Sequence, residues 1–451
     1  MTTNTTPEIA ANEVIDTLLK HVRVDGPRIV IDMQASHGSY MVNALDGREY
    51  LDFYSFFASM PLGYNHPRLR EPEYQARLLT AASMKVANSD VFSEYYAQFV
   101  QTVADIAAPD GFEHFFFIDG GALAVENALK AAFDWKVRKN LAAGRGEIGQ
   151  QVIHFKQAFH GRSGYTMSLT NTADPRKTMY FPKFDWPRID NPKIDFTLDE
   201  PQRTEDVAQR EQAAVEQIMQ AIEKHGHDLA AIIIEPIQGE GGDNHFRGEF
   251  LAKLREICDQ HEMLLIFDEV QTGLGLTGRL WAFEHFDVVP DILVFGKKMQ
   301  ICGLMAGGRL DDVDNVFKVP SRINSTFGGN MTDMVRAAQY LRVIEEEGLV
   351  QNAAEKGELL LNGLRDLAAR HDCISAVRGR GLWCAFDLPD GQRRDALREA
   401  CLKRQMLVLA CGPNSIRFRP VLDVTEQDID RGLEVLDAAL GEINSAPDGD
   451  A

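Results

Sequence analysis

LLIFDEVQTG (264–273) and PDILVFGKKMQICG (290–303) decide the fold. Each holds a short, unbroken apolar run, Leu264–Phe267 and Ile292–Phe295, that stops abruptly at charged or glycine residues. Runs of that length, rich in branched and aromatic residues, read as strands buried on both faces. Three more lie upstream: His114–Ile118 (HFFFI), Gln151–Phe155 (QVIHF) and Ala231–Ile234 (AIII). Between them, the patterns over Ala124–Lys139 and Gly248–His261 carry the apolar spacing of helices. Strands alternating with helices predict an α/β fold, a mostly parallel sheet covered by helices. Before about residue 65 and after about residue 335 the texture changes, with a long helical pattern over Met334–Glu347 and then shorter strands. The sequence thus predicts a large domain over 66–334 and a smaller α+β domain built from 1–65 and 335–451.

The strand ends point to a site. They are Asp119-Gly120-Gly121, Lys156-Gln157, Glu235-Pro236, Asp268-Glu269 and Gly296-Lys297. In open α/β sheets the ligand crevice lies beyond the carboxyl ends of the strands, so these five ends converge on one place. Lys297 follows a buried strand, where a lysine can be held with a lowered pKa as a nucleophile toward carbonyl groups. Asp268 closes another buried strand and is costly there without a partner. A protonated pyridine nitrogen is such a partner, and a lysine imine with an Asp at that nitrogen is the pairing of pyridoxal enzymes. A plain Asp–Lys ion pair at the sheet edge accounts for the same two residues. The turn Asp119–Ala122 opens a helix whose free backbone amides suit a phosphate, although any strand-to-helix turn reads alike. Phe159 and His160 follow the next strand, where an aromatic ring can cover a flat cofactor or simply fill a core.

GRGEIG (144–149) satisfies G-x-G-x-x-G, but a helix precedes it and a strand follows. That is the reverse of the dinucleotide fingerprint, and the segment reads as a surface loop. A net charge of −20 excludes a nucleic-acid surface. The six cysteines form no C-x-x-C pair and have no histidines grouped beside them, so they read as reduced thiols and no metal site is expected. MTTNTTPEIAANEV lacks the basic start and apolar run of a secretory signal, and no apolar stretch is long enough to span a bilayer. The expectation is a cytoplasmic protein.

Seven motifs occur in order: GGALAVENALKAA (120–132), AFHGRSGYT (158–166), EPIQGEGG (235–242), LLIFDEVQTGLGLTG (264–278), PDILVFGKKMQICG (290–303), NSTFGGN (324–330) and IRFRP (416–420). Together they resemble the class III, fold-type I pyridoxal-phosphate aminotransferases over nearly the whole chain. The resemblance implies pyridoxal 5'-phosphate as cofactor and Lys297 as the lysine that carries it and shuttles the proton; Lys298 is the rival within the pair. It implies that Asp268 holds the pyridine nitrogen protonated and that Gly121 and Ala122 bind phosphate through their amides. Phe159 then stacks on the ring and Gln271 lies near its hydroxyl. Thr326 matches the threonine that reaches a phosphate in the neighbouring subunit, which implies a homodimer with the site at the interface.

In related ω-aminotransferases the loop glutamate, here Glu240, pairs with an arginine of the small domain, here Arg417, with Arg419 as the alternative. By that resemblance Glu240 covers Arg417 when a diamino acid enters amine-first, and uncovers it for the α-carboxylate of 2-oxoglutarate. The wording GGALAVENALKAAFDWK (120–136) and FDWPRID (184–190) is similar to bacterial L-lysine 6-aminotransferases. In those enzymes the position of Arg162 holds the substrate's distant α-carboxylate, and Asn324 is a second candidate for that role. The activity implied is transfer of the ε-amino group of L-lysine to 2-oxoglutarate. Other ω-aminotransferases (ornithine, 4-aminobutyrate, diaminobutyrate) and a pyridoxal aminomutase or racemase are the alternatives. A non-catalytic binding protein would have no use for both the lysine and the cradle.

Overall fold

The computed structural model describes residues 9–445; the first eight residues of MTTNTTPEIAANEV lie outside the described residues. At its centre is a seven-stranded sheet, ordered Phe112–Ile118, Cys302–Gly307, Ile292–Phe295, Leu264–Asp268, Leu229–Ile234, Gln151–Phe155, Arg188–Ile189. Neighbours run parallel except Cys302–Gly307, which is antiparallel to both of its partners. All five strands expected from sequence are present. Two were missed, and each has a physical reason. Arg188–Ile189 is only two residues long. Cys302–Gly307 (CGLMAG) is diluted by glycine, yet that is what its position demands: a Cβ on Gly303 would stand 2.2 Å from the carbonyl oxygen of Phe116.

Strands Leu229–Ile234, Leu264–Asp268 and Ile292–Phe295 are buried throughout, as their unbroken apolar runs require. Alternate residues feed opposite layers. Ala231, Ile233, Ile266 and Val294 pack with the alanine-rich face of helix Gly121–Ala142, whereas Ile232, Phe267, Leu293 and Phe295 pack with helix Gly248–Gln260 on the other side. Small residues such as Ala124, Ala128 and Ala132 let the first helix lie close to the sheet, which fixes where its N-terminus opens.

A further core draws on both ends of the chain, combining Leu51, Phe53 and Leu62 with Leu360, Trp383 and Phe418. It is framed by a four-stranded antiparallel sheet ordered Ser375–Arg380, Trp383–Asp387, Ser415–Phe418, Leu409–Cys411, and by a three-stranded sheet of Tyr40–Val42, Glu49–Asp52 and Met406–Leu407. Helix Met331–Glu346 belongs to both cores: Met334 and Leu341 pack on the large sheet's side, Tyr340 and Val343 on the terminal one. The predicted boundary at 334/335 therefore falls inside a helix that ties the two cores together. GRGEIG is a mostly exposed turn between a helix and a strand. All six cysteines are free, and Cys258, Cys384, Cys401 and Cys411 are buried. Among the described residues no helix is long and apolar enough to cross a membrane.

Candidate active site

Because strands Gln151–Phe155, Leu229–Ile234, Leu264–Asp268 and Ile292–Phe295 are adjacent and parallel, their carboxyl ends open on one crevice. Asp268 is buried there, and its Oδ2 meets His160 Nδ1 at 2.8 Å while its Oδ1 accepts from the Val270 amide at 3.1 Å. Burial alone would lower the His160 pKa, but the hydrogen bond to Asp268 and its charge overcome that and raise it. The histidine thus orients the carboxylate from behind. Glu235, also buried, accepts from the amides of Phe159 at 2.9 Å and Gly239 at 3.2 Å. Burial, with Asp268 adding to it, pushes its pKa up to about 7.

The two lysines have opposite surroundings. Lys298 is buried and donates to the carbonyls of Gln271 at 2.6 Å and Ala58 at 3.3 Å, which makes it a structural tie. Lys297 is half-buried, adopts φ +49°, and donates to a single carbonyl, Phe57 O, at 3.0 Å. Burial first, and then the charges of Arg417 and Arg419, bring its pKa down to about 7. A substantial share of this amine is therefore neutral and nucleophilic near neutral pH. The carbonyls of Phe57 and Ala58 come from a left-handed turn in which Ser55, Phe56, Phe57 and Ala58 all have positive φ, between 38° and 64°. Such conformations cost non-glycine residues about 1–3 kcal/mol each and collect at functional sites. The buried Asp52 carboxylate fixes the turn by accepting from the amides of Tyr54 and Ser55, both at 2.8 Å.

Helix Gly121–Ala142 starts beside this group with Gly120 as N-cap, no side-chain cap and no acidic residue in its first turn. Its first amides, including those of Gly121 and Ala122, are available to an anion. The Phe159–His160 loop can approach because Gly161, at φ +115°, has no side chain; a Cβ there would lie 2.4 Å from that of Ala122.

Gln271 joins the site to the C-terminal sheet, its Oε1 accepting from Arg417 Nη1 at 2.9 Å. Arg417 is buried on strand Ser415–Phe418. The expected Glu240–Arg417 pair is not made. Glu240 Oε1 instead accepts from Thr172 Oγ1 at 2.7 Å and Lys177 Nζ at 2.5 Å, which already give this oxygen a hydroxyl and a full positive charge. Arg419, the alternative, is committed elsewhere: fully buried, it donates to Asp243 Oδ1 at 2.6 Å and lies 3.5 Å over the Trp383 ring.

Asp268, Lys297, Gly121, Ala122, Phe159, Gln271 and Arg417 therefore gather around one crevice, with His160 and Glu235. Arg162, Asn324 and Thr326 are exposed and make no hydrogen bond to that group within the single chain. The segment holding Asn324 and Thr326 is anchored instead by Ser89 Oγ, which donates to the Thr326 carbonyl at 3.1 Å, and by Asn88. Sequence reasoning gave no role to His160 and did not find Thr172 or Lys177. The signal for His160 was available: a buried carboxylate at a strand end needs a partner, and a histidine closes the loop after the next strand but one.

Residues 22–440 match the family model described as aminotransferase class-III, and the chain belongs to that family. It is 52% identical over 440 residues to an L-lysine-epsilon aminotransferase of Mycobacterium tuberculosis, covering 97% of this chain and 96% of the relative. An L-lysine-epsilon aminotransferase of Streptomyces clavuligerus is 46% identical over 434 residues, covering 95% and 94%. The solved lysine aminotransferase of M. tuberculosis superposes with a TM-score of 0.94 at 51% identity, covering 96% of this chain and all of the other. The class is pyridoxal-phosphate dependent. The residues present fit that group: an uncapped helix start for the phosphate, a buried carboxylate for the ring nitrogen, and a lysine poised near neutrality for the aldehyde.

Proposed function

We propose that this chain transfers the ε-amino group of L-lysine to 2-oxoglutarate, giving L-glutamate and 2-aminoadipate 6-semialdehyde, which cyclises to 1-piperideine 6-carboxylate. The observation that carries the chemistry is the asymmetry of the lysine pair, Lys298 tied to two carbonyls and Lys297 held by one with its pKa near 7. Lysine as the substrate rests on the relatives at about half identity over nearly full length.

Bound pyridoxal phosphate supplies the electron sink. The protein does the rest. The amides of Gly121 and Ala122 would hold its phosphate, Phe159 would cover one face of its ring, and Gln271 would lie near its hydroxyl. Asp268, oriented by His160, would face the ring nitrogen. Lys297, with its pKa near 7, would serve first as the base that takes a proton from the substrate's terminal carbon and then as the acid that delivers it on the cofactor side of the nitrogen. Arg162 binds the α-carboxylate of lysine, with Asn324 near it, so that the ε-amine faces the ring. Arg417 takes the α-carboxylate of 2-oxoglutarate in a two-pronged grip, with Glu240 as its counter-charge in the other half of the cycle.

Thr326 completes the phosphate site from a second copy of the chain. Supporting a homodimer, the exposed apolar side chains of Leu79, Met84, Val91 and Phe92 flank the Asn88–Ser89 anchor of the Thr326 segment. The two-domain division at 66–334 is part of this reading, since Arg417 and Lys297 then approach from different units; so is a cytoplasmic location.

The test is product regiochemistry. With lysine and 2-oxoglutarate, o-aminobenzaldehyde trapping and NMR should show the imine that retains the α-amino carbon. A 2-oxo acid, or a clear preference for ornithine, would contradict the assignment.

A further inference from the structure

Glu240 lies in the loop between the short strands Ile237–Gln238 and Asn244–His245. Its backbone carbonyl accepts from the Gly412 amide at 2.9 Å, in the turn of the hairpin whose second strand carries Arg417. The carboxylate and the guanidinium are thus tied to the same hairpin, yet they do not pair. Glu240 Oε2 is buried without a partner, and so is Arg417 Nε. What occupies Glu240 is the Lys177 ammonium at 2.5 Å, with the Thr172 hydroxyl at 2.7 Å. Lys177 ends the short turn Pro175–Lys177, and its side chain is about a third exposed.

We infer that Lys177 is the second docking point of Glu240, and so a positioning residue that sets when Arg417 is bare. With Glu240 held by Lys177 and Thr172, Arg417 keeps only the neutral Gln271 and offers its charge to the carboxylate of an incoming dicarboxylic acid. When Glu240 leaves Lys177, the side chain turns about its fixed backbone to Arg417 and covers it for the amine substrate. A lysine suits such a docking point, because a single charge on a flexible stem, partly in water, holds a carboxylate weakly enough to release it. The inference rests on the proposal that Arg417 grips 2-oxoglutarate.

The test uses the holoenzyme and glutarate, which carries both carboxylates and cannot be aminated. Its dissociation constant is read by titration calorimetry for wild type and for Lys177→Met, Lys177→Arg and Arg417→Gln, beside KM for both substrates. Lys177→Met should weaken glutarate by about tenfold, within the usual range of coupling between sites. It should raise KM for 2-oxoglutarate in proportion while leaving KM for lysine unchanged or lower, and Lys177→Arg should restore both. Unchanged glutarate binding in Lys177→Met, while Arg417→Gln loses it, overturns the inference and spares the reading of Arg417. Equal weakening for glutarate and lysine overturns it too, since Lys177 then merely supports the loop. If Arg417→Gln itself binds glutarate normally, the reading of Arg417 falls and the inference with it.

Discussion

Two acid–arginine sets stand side by side where the sheet's crevice meets the C-terminal strands, and they behave differently. Asp243 and Arg419 are closed on each other at 2.6 Å, wholly buried, with Trp383 covering the guanidinium. Glu240 and Arg417, close to the first set along the same loop and the same C-terminal segment, are held apart by Lys177 and Gln271. The first set joins the glutamate loop to the C-terminal sheet. The second keeps charge in reserve. The adjacent lysines repeat the contrast, Lys298 spent on two carbonyls and Lys297 left nearly free. At these positions the residue types are the same, and function lies with the member whose bonding is incomplete.

The comparison breaks most visibly at the lysines. Lys297→Ala should abolish transamination while cofactor still binds weakly through phosphate and ring contacts, as spectral titration would show. Lys298→Met should lower thermal stability and keep a functional site; loss of cofactor attachment in that variant alone would reverse the two assignments. Next come the acid–arginine sets. Asp243→Asn leaves Arg419 buried without its counter-charge and should cost about 3–5 kcal/mol in unfolding experiments. Glu240→Gln breaks a partly exposed pair and should cost no more than about 1 kcal/mol. Single-turnover kinetics should find its lysine half-reaction slowed more than its 2-oxoglutarate half-reaction, and equal slowing would make Glu240 structural.

The smallest effect is electrostatic. Arg417 is one of the charges that lower the Lys297 pKa to about 7. Removing it in Arg417→Gln should raise that pKa, so a larger share of the amine is protonated at pH 7. Capture of pyridoxal phosphate by cofactor-free enzyme, followed by stopped-flow absorbance, should then be slower than wild type near pH 7 and equal to it near pH 9. A profile that does not move to higher pH would show that Arg417 does not reach Lys297.

How far this was legible in the sequence depended on distance along the chain. The buried strands announce themselves because every residue of Leu229–Ile234 or Ile292–Phe295 must be apolar. The glycine-rich Cys302–Gly307 does not, since its sequence answers to close backbone contact with Phe116 instead of to burial area. Asp268 and Lys297 were readable from where their strands stop. The partners were harder: His160, which meets Asp268 across 108 residues, was signalled only by the need of a buried carboxylate for a partner, and Lys177, which meets Glu240 across 63, by no local pattern at all. Lys297 was chosen over Lys298 through the family resemblance, since the chemistry of two adjacent lysines is the same. The fold tells them apart by burial and bonding: Lys298 is buried and tied to the carbonyls of Ala58 and Gln271, whereas Lys297 is half-buried and meets only that of Phe57.

That separation is the claim on which the active site rests. Reduction of the holoenzyme with borohydride fixes the cofactor to whichever amine holds it, and peptide mapping by mass spectrometry then reads the position within Gly296–Gln300. The structure predicts the pyridoxyl group on Lys297 and an unmodified Lys298; label on Lys298, or none in this peptide, would contradict it.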